Sequence, residues 1–188
     1  MALGANAKQV AQYQWKQRIT VVRKGNPLEP TIQDVRFDAT GHPVRTTLVK
    51  PEEKRMGPLK ARKVAEVKES IQETMRMAYR YANPRELAAA MERGEIWEGP
   101  AGIRVQARSV LLPVDEVDIA VNTSTFLMTR VDIKTRHEGN PVTVAIVYEQ
   151  LPSGPSVMRR MTVQMPEEDI AVNVESFDFA RLAGQTIH

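Results

Sequence analysis

The sequence predicts an α+β fold in which a strongly curved antiparallel up-and-down sheet is covered by helices from the middle of the chain. Three observations predict it. After Gly99 the chain reads as alternating apolar and polar segments divided by NTST, RHEGNP, LPSGP and PEED. Connections this short join antiparallel neighbours. Between Pro51 and Gly94 the period changes to that of helices, and the alternation leaves one side of the sheet dry, so those helices are its available cover.

The elements follow in order. NAKQVAQYQW opens with a short helix, about Asn6 to Tyr13, that runs into a strand from Trp15 to Val22. Gly25, Asn26 and Pro27 then turn the chain into a second strand, Thr31 to Asp38, and Gly41 and Pro43 return it as a third, Val44 to Val49. A charged loop, PEEKRMGPLK, leads to a helix from Leu59 to Tyr81 whose Val64, Val67, Ile71, Met75 and Ala78 form an apolar stripe. Asn83 and Pro84 stop it. RELAAAMER makes a second helix from Arg85 to Arg93, ended by Gly94.

The remaining strands are Ile103 to Leu112, Val117 to Val121, Leu127 to Thr135, Val142 to Glu149, Val157 to Met165 and Ile170 to Phe179. Val117, Ile119 and Val121 share a face against Asp118 and Ala120. Val131 and Ile133 oppose Arg130, Asp132 and Lys134, and Ile170, Val172 and Val174 oppose Asn173 and Glu175.

Composition bounds the function. A chain of 188 residues is long enough for one buried core, and a single domain spanning 1–188 is expected. No apolar run is long enough to span a bilayer, so the chain is expected not to be membrane-spanning. The start, MALGANAKQV, has no apolar core of a signal peptide, although a mature secreted chain with an added Met would read the same. The absence of cysteine excludes disulfides, thiolate catalysis and a Cys-bound metal. The net charge of +3 is concentrated between Lys50 and Arg80. A basic helix can meet nucleic acid or an anionic membrane, and it is also what a solvated face of Lys/Glu pairs looks like.

Motifs for chemistry are scarce. His42, His137 and His188 are scattered in two turns and at the C-terminus without ligand spacing, so a metal site would have to be assembled wholly by the fold; none is expected, and no cofactor. Glu52/Glu53 and Glu167/Glu168 are adjacent pairs in loops and read as solubilising charges. No nucleophile elbow, phosphate loop or dinucleotide fingerprint occurs, so the chain is not expected to be an enzyme. Tyr79 and Tyr81 beside Arg76 and Arg80 could stack on bases, but at a helix end they fit packing onto a sheet, and no nucleic-acid partner is expected. The nine methionines suit an interior that adapts to irregular apolar shapes.

VDIAVNTSTFLMTRVDIKT, 117–135, resembles the hairpin of the LolA/LolB-like periplasmic lipoprotein carriers. In that hairpin an apolar strand passes through Asp-x-x-Thr-x-Leu-Pro-x-Arg and returns as Val-Glu-Val. Thr125, Leu127, Arg130, Val131 and Asp132 stand in the corresponding order, while Asn122 and Met128 depart from the usual Asp and Pro. The order of a helix running into a strand, a meander, central helices and a run of strands agrees along nearly the whole chain.

The resemblance implies an unclosed β-barrel with helices plugging its mouth, working in the periplasm or outside the cell after loss of a signal peptide. It implies a noncatalytic binder of lipid or of the acyl chain of a lipoprotein, with a possible envelope protein partner. The lid would be the helix from Leu59 together with the segment from Arg85 to Trp97. The candidate apolar cavity is Val64, Val67, Ile71, Met75, Met91, Val131, Ile133, Val144, Ile146 and Met161. A competing reading is an interaction or sensor module of the same fold with a filled core, and the two differ by whether apolar space exists beneath the helices.

Overall fold

Chain direction reverses at nearly every turn, and the result is one large antiparallel sheet. In the computed structural model, residues 2–38, 42–51, 57–99, 102–152 and 154–182 are described. Helix α1 (Ala2–Val10) leads into β1 (Tyr13–Arg23), the two-residue β2 (Asn26–Pro27), β3 (Thr31–Phe37) and β4 (Pro43–Val49). Helices α2 (Pro58–Tyr81) and α3 (Pro84–Arg93) follow. The chain then makes β5 (Glu95–Gly99), β6 (Gly102–Arg108), β7 (Glu116–Val121), β8 (Met128–His137), β9 (Asn140–Gln150), β10 (Ser156–Met165) and β11 (Ile170–Arg181).

The strand order is β4-β3-β1-β11-β10-β9-β8-β7-β6-β5, with β2 paired to β1. Among the described residues the end strands β4 and β5 do not pair with each other, so the sheet is an unclosed barrel, as the resemblance implied. Since α2 and α3 lie between β4 and β5 in the chain, they carry it from one free edge to the other.

Local chemistry explains the helix limits. Pro58 and Pro84 stand in the first turns of α2 and α3, where a missing N–H costs no bond. Asn83 accepts from the Arg85 N–H at 3.0 Å and caps α3. Gly94 ends α3 where space is tight: a Cβ there would sit 2.5 Å from Val105 Cγ1 and 2.9 Å from the Gln106 carbonyl oxygen.

Several boundaries differ from expectation. The first helix spans Ala2–Val10 rather than Asn6 to Tyr13, and Tyr13 instead opens β1, where it pairs with Arg181 of β11. The end of the expected lid segment, Glu95 to Trp97, belongs instead to strand β5 (Glu95–Gly99) on the sheet edge. All of its residues are exposed, so there was no buried alternation to read. The strand expected to reach Leu112 stops at Arg108, where Ser109 adopts a left-handed φ of 52° and residues 109–115 form a turn folded onto Asp115. The loops holding Glu52, Glu53 and Gly41, and the terminal His188, lie outside the described residues.

No described helix is long and apolar enough to cross a membrane. The core is one cluster formed by the inner face of the sheet with Met75, Ala78 and Tyr81 of α2 and Leu87 and Ala90 of α3.

Candidate functional site

The inner face is built from rows of side chains set by strand register. One row runs Ile96, Val105, Ile119, Val131, Ile146, Met161, Val174 and Ile19 across neighbouring strands. A second runs Val117, Ile133, Val144, Val163, Val172 and Val21. Because side chains on a strand alternate with period two, these rows put β-branched and thioether groups side by side on one face. The sheet is thus apolar over a continuous band.

Beside that band the face becomes polar. On β1, β3 and β11 the next positions are Gln17, Gln33 and Ser176, all buried. Gln33 donates to Gln17 Oε1 at 3.1 Å, and Gln17 donates to Ser176 Oγ at 3.3 Å. Tyr79 of α2 donates to the same Gln17 oxygen at 3.3 Å, with Arg45 of β4 stacked 4.4 Å over its ring. Burial holds the Tyr79 hydroxyl above its ordinary pKa, against the opposing charge of Arg45. Beyond the amide bar lies an aromatic group, Trp15 with Phe37 at 5.7 Å and with Phe179 at 5.9 Å.

Helix α2 is tied to the sheet at several points. Ser70 donates to Glu168 Oε1 at 3.1 Å in the turn between β10 and β11, and Glu73 lies 3.7 Å from His137 at the end of β8. Tyr81 donates to Thr135 Oγ1, which donates to Asp115 Oδ1 at 2.6 Å. Burial, then the neighbouring Asp115 carboxylate, raises the Tyr81 pKa above its usual range. Asp115 Oδ2 also accepts the N–H groups of Leu111 and Leu112 at 2.8 and 2.7 Å.

From Thr74 onward, α2 therefore sits in the concavity. Before Ser70 its described side chains are exposed except for Val64 and Val67, and Leu59 is 87% exposed. The first turns of the helix stand clear of the core.

Against this geometry the ten sequence-expected positions fall into three groups. Val131, Ile133, Val144, Ile146 and Met161 are at most 1% exposed and, with Met75, belong to the core cluster. Val67, Ile71 and Met91 are half-buried and packed against its margin. Val64 is half-buried outside it. The sheet positions thus lie in one buried core cluster with Met75, Ala78 and Tyr81 of α2.

The quoted hairpin is where it was expected, as β7 and β8. Asn122, which stands where the carriers have Asp, accepts from the N–H groups of Ser124 and Thr125 at 2.9 and 3.0 Å, which pins the turn. Arg130 forms a two-bond pair with Asp132 at 2.6 and 2.7 Å on the outer face. The turn also presents Phe126, 60% exposed, at a left-handed φ of 55°.

Other polar features were not legible in the sequence. A depression of about 300 Å³ involving β1, β10 and β11 is lined by Arg18, Arg159, Arg160, Glu175, Ser176 and Phe177. Its arginines are engaged: Arg18 and Arg160 pair with Glu175, and Arg159 pairs with Glu149. His137 is in β8 rather than in a solvated turn, and its buried Nε2 has no hydrogen-bond partner. Glu168, read as a solubilising charge, is the acceptor for Ser70.

Among the solved structures similar to this chain are two that match it over nearly its whole length. One is a LolA superfamily protein from Nitrosomonas europaea, with a TM-score of 0.43, 8% identity, and coverage of 98% of this chain and 95% of the other. Another is a DUF1329 family protein from Desulfovibrio piger, with a TM-score of 0.46, 11% identity, and coverage of 98% and 92%. No protein-family model matches the sequence, and a comparison with curated proteins finds no match.

Proposed function

We propose that this chain is a noncatalytic binder of an acyl chain, from a lipid or a lipoprotein, working in the periplasm or cell envelope. The observation that carries the reading is the continuous apolar band of the sheet beneath a helix whose own apolar stripe is only half seated. Val67 and Ile71 are packed at the margin of the core, and Val64 is half-buried outside it.

The mechanism is exchange of one apolar contact for another. Each methylene buried against the band contributes about 0.8 kcal/mol, so a long acyl chain can replace the contacts of a displaced helix turn. Opening moves the first half of α2 and leaves the network of Tyr81, Thr135 and Asp115 closed. The methionines around the interior, among them Met75, Met91 and Met161, adapt to whichever chain lies there.

The test is native mass spectrometry of protein purified without added lipid, followed by organic extraction. A co-purified acyl species near one per chain, or saturable uptake of a fluorescent fatty acid, supports the reading. Bare protein that takes up no fatty acid overturns it.

The full burial of Val131, Ile133, Val144, Ile146 and Met161 favours a second reading, an envelope interaction or sensor module with a filled core. Bare, non-binding protein that captures an envelope partner from detergent extracts would select it.

A further inference from the structure

The sequence places its histidines far apart, and the fold brings one of them between two carboxylates. Glu73 of α2, His137 at the end of β8 and Glu138 just after it each offer a ligand atom, and these atoms all lie within 4.8 Å of one another. Glu73 Oε2 is 3.7 Å from His137 Nε2. Two ligands held about 2.1 Å from a tetrahedral ion stand roughly 3.4 Å apart, so this pair is close to chelating separation.

A second observation points the same way. His137 Nε2 is buried and has no hydrogen-bond partner, although the side chain as a whole keeps 19% of its surface. An imidazole nitrogen in that position is without the partner that buried polar groups ordinarily have. A metal ion would supply it, with water completing the coordination on the exposed side of Glu138.

We propose that Glu73, His137 and Glu138 form a site for a first-row divalent cation, with Zn²⁺ as the representative ion, which clamps α2 to the hairpin of β8 and β9. The imidazole decides the class, because calcium and magnesium favour all-oxygen shells. The clamp falls three residues beyond the Ser70 bond to Glu168, so the ion would lock the helix where its seated half begins. The site does not depend on what the protein carries.

The test uses the tag-free full chain, stripped with a chelator and titrated with Zn²⁺ against a chromogenic competitor. The expected result is one Zn²⁺ per chain, unchanged by excess Ca²⁺ or Mg²⁺ and weakened at least tenfold in His137→Ala and Glu138→Gln, with His42→Ala as the control. Glu138 is exposed, so its variant keeps the test sound if His137→Ala fails to fold. Absence of a stoichiometric site, equal binding by the folded variants, or displacement by Ca²⁺ overturns the proposal. Zn²⁺ is also expected to slow amide exchange in residues 70–77 of the wild type alone, and unchanged exchange would refute the clamp.

Discussion

Thr135 Oγ1 donates to Asp115 Oδ1 at 2.6 Å, and both residues are buried. The same carboxylate holds the Leu111 and Leu112 N–H groups, while Thr135 accepts from Tyr81 at the last turn of α2. One aspartate thus joins the turn between β6 and β7, strand β8 and the seated end of the helix. Asp115→Ala would leave the buried Thr135 hydroxyl and the part-buried Leu111 and Leu112 N–H groups without this acceptor, at about 1–3 kcal/mol for a fully buried group and less for the other two. A loss of about 2–4 kcal/mol in urea unfolding is expected, with Asp115→Asn less severe because one oxygen still accepts.

The Ser70 bond to Glu168 restrains the other end of the seated segment. Its loss in Ser70→Ala should favour local opening of the helix by about 1 kcal/mol, since the acceptor is charged but partly solvated. Amide exchange in the middle of α2 should then speed up about fivefold, with global stability nearly unchanged. Equal exchange rates in the two proteins would show that the bond restrains nothing.

How far these features were legible depended on whether they were local. The strands from Val117 onward were readable because Val131, Ile133, Val172 and Val174 alternate with polar neighbours under the constraint of one dry face. Strand β5 was not, since Glu95–Gly99 lies on an edge with both faces exposed. Apolar stripes likewise placed Met75 and Ile71 on the sheet-facing side of α2, but whether space remains beneath them depends on volumes no spacing encodes. The pairings of Tyr81 with Thr135 and of Glu73 with His137 join residues 54 and 64 positions apart, and only the register of β8 against the helix makes them neighbours.

Gly94 illustrates a constraint of packing rather than of backbone freedom, its φ being an ordinary −79°. A methyl group there would meet Val105 Cγ1 at 2.5 Å and backbone oxygens of Gln106 and Ala90 at 2.9 and 3.1 Å. Gly94→Ala should therefore cost about 1–3 kcal/mol through overpacking, despite alanine's better helix propensity. Thermal unfolding would show it as a lowered Tm.

Tyr148 carries a buried hydroxyl without a partner, and burial raises its pKa above the ordinary 10.0. Since the folded state holds this proton more tightly than the unfolded chain, its contribution to stability is intact below about pH 10. That contribution is lost as pH rises from there through the raised folded value. Tyr148→Phe removes both the orphan hydroxyl and this titration. The variant should match or exceed the wild type by up to about 1 kcal/mol at pH 7. Unfolding followed from pH 9 to 11 should show a shallower alkaline decline in the variant, and parallel curves would contradict the assignment.

Ile71 and Ile146 separate binding from folding. Ile146 is fully buried in the core row, whereas Ile71 is half-buried at its margin on the helix proposed to move. Ile146→Ala should cost about 2–5 kcal/mol by leaving a cavity. A carboxylate in Ile71→Glu can turn toward water when the helix margin lifts, so its effect on folding should be smaller. The same charge placed over the apolar band would oppose an acyl chain, because an ionised group is costly to desolvate. Uptake of a fluorescent fatty acid should therefore fall at least tenfold in Ile71→Glu, and in Val67→Glu by the same reasoning, with a cooperative unfolding transition retained. Normal uptake by both folded variants would place the ligand elsewhere than under α2.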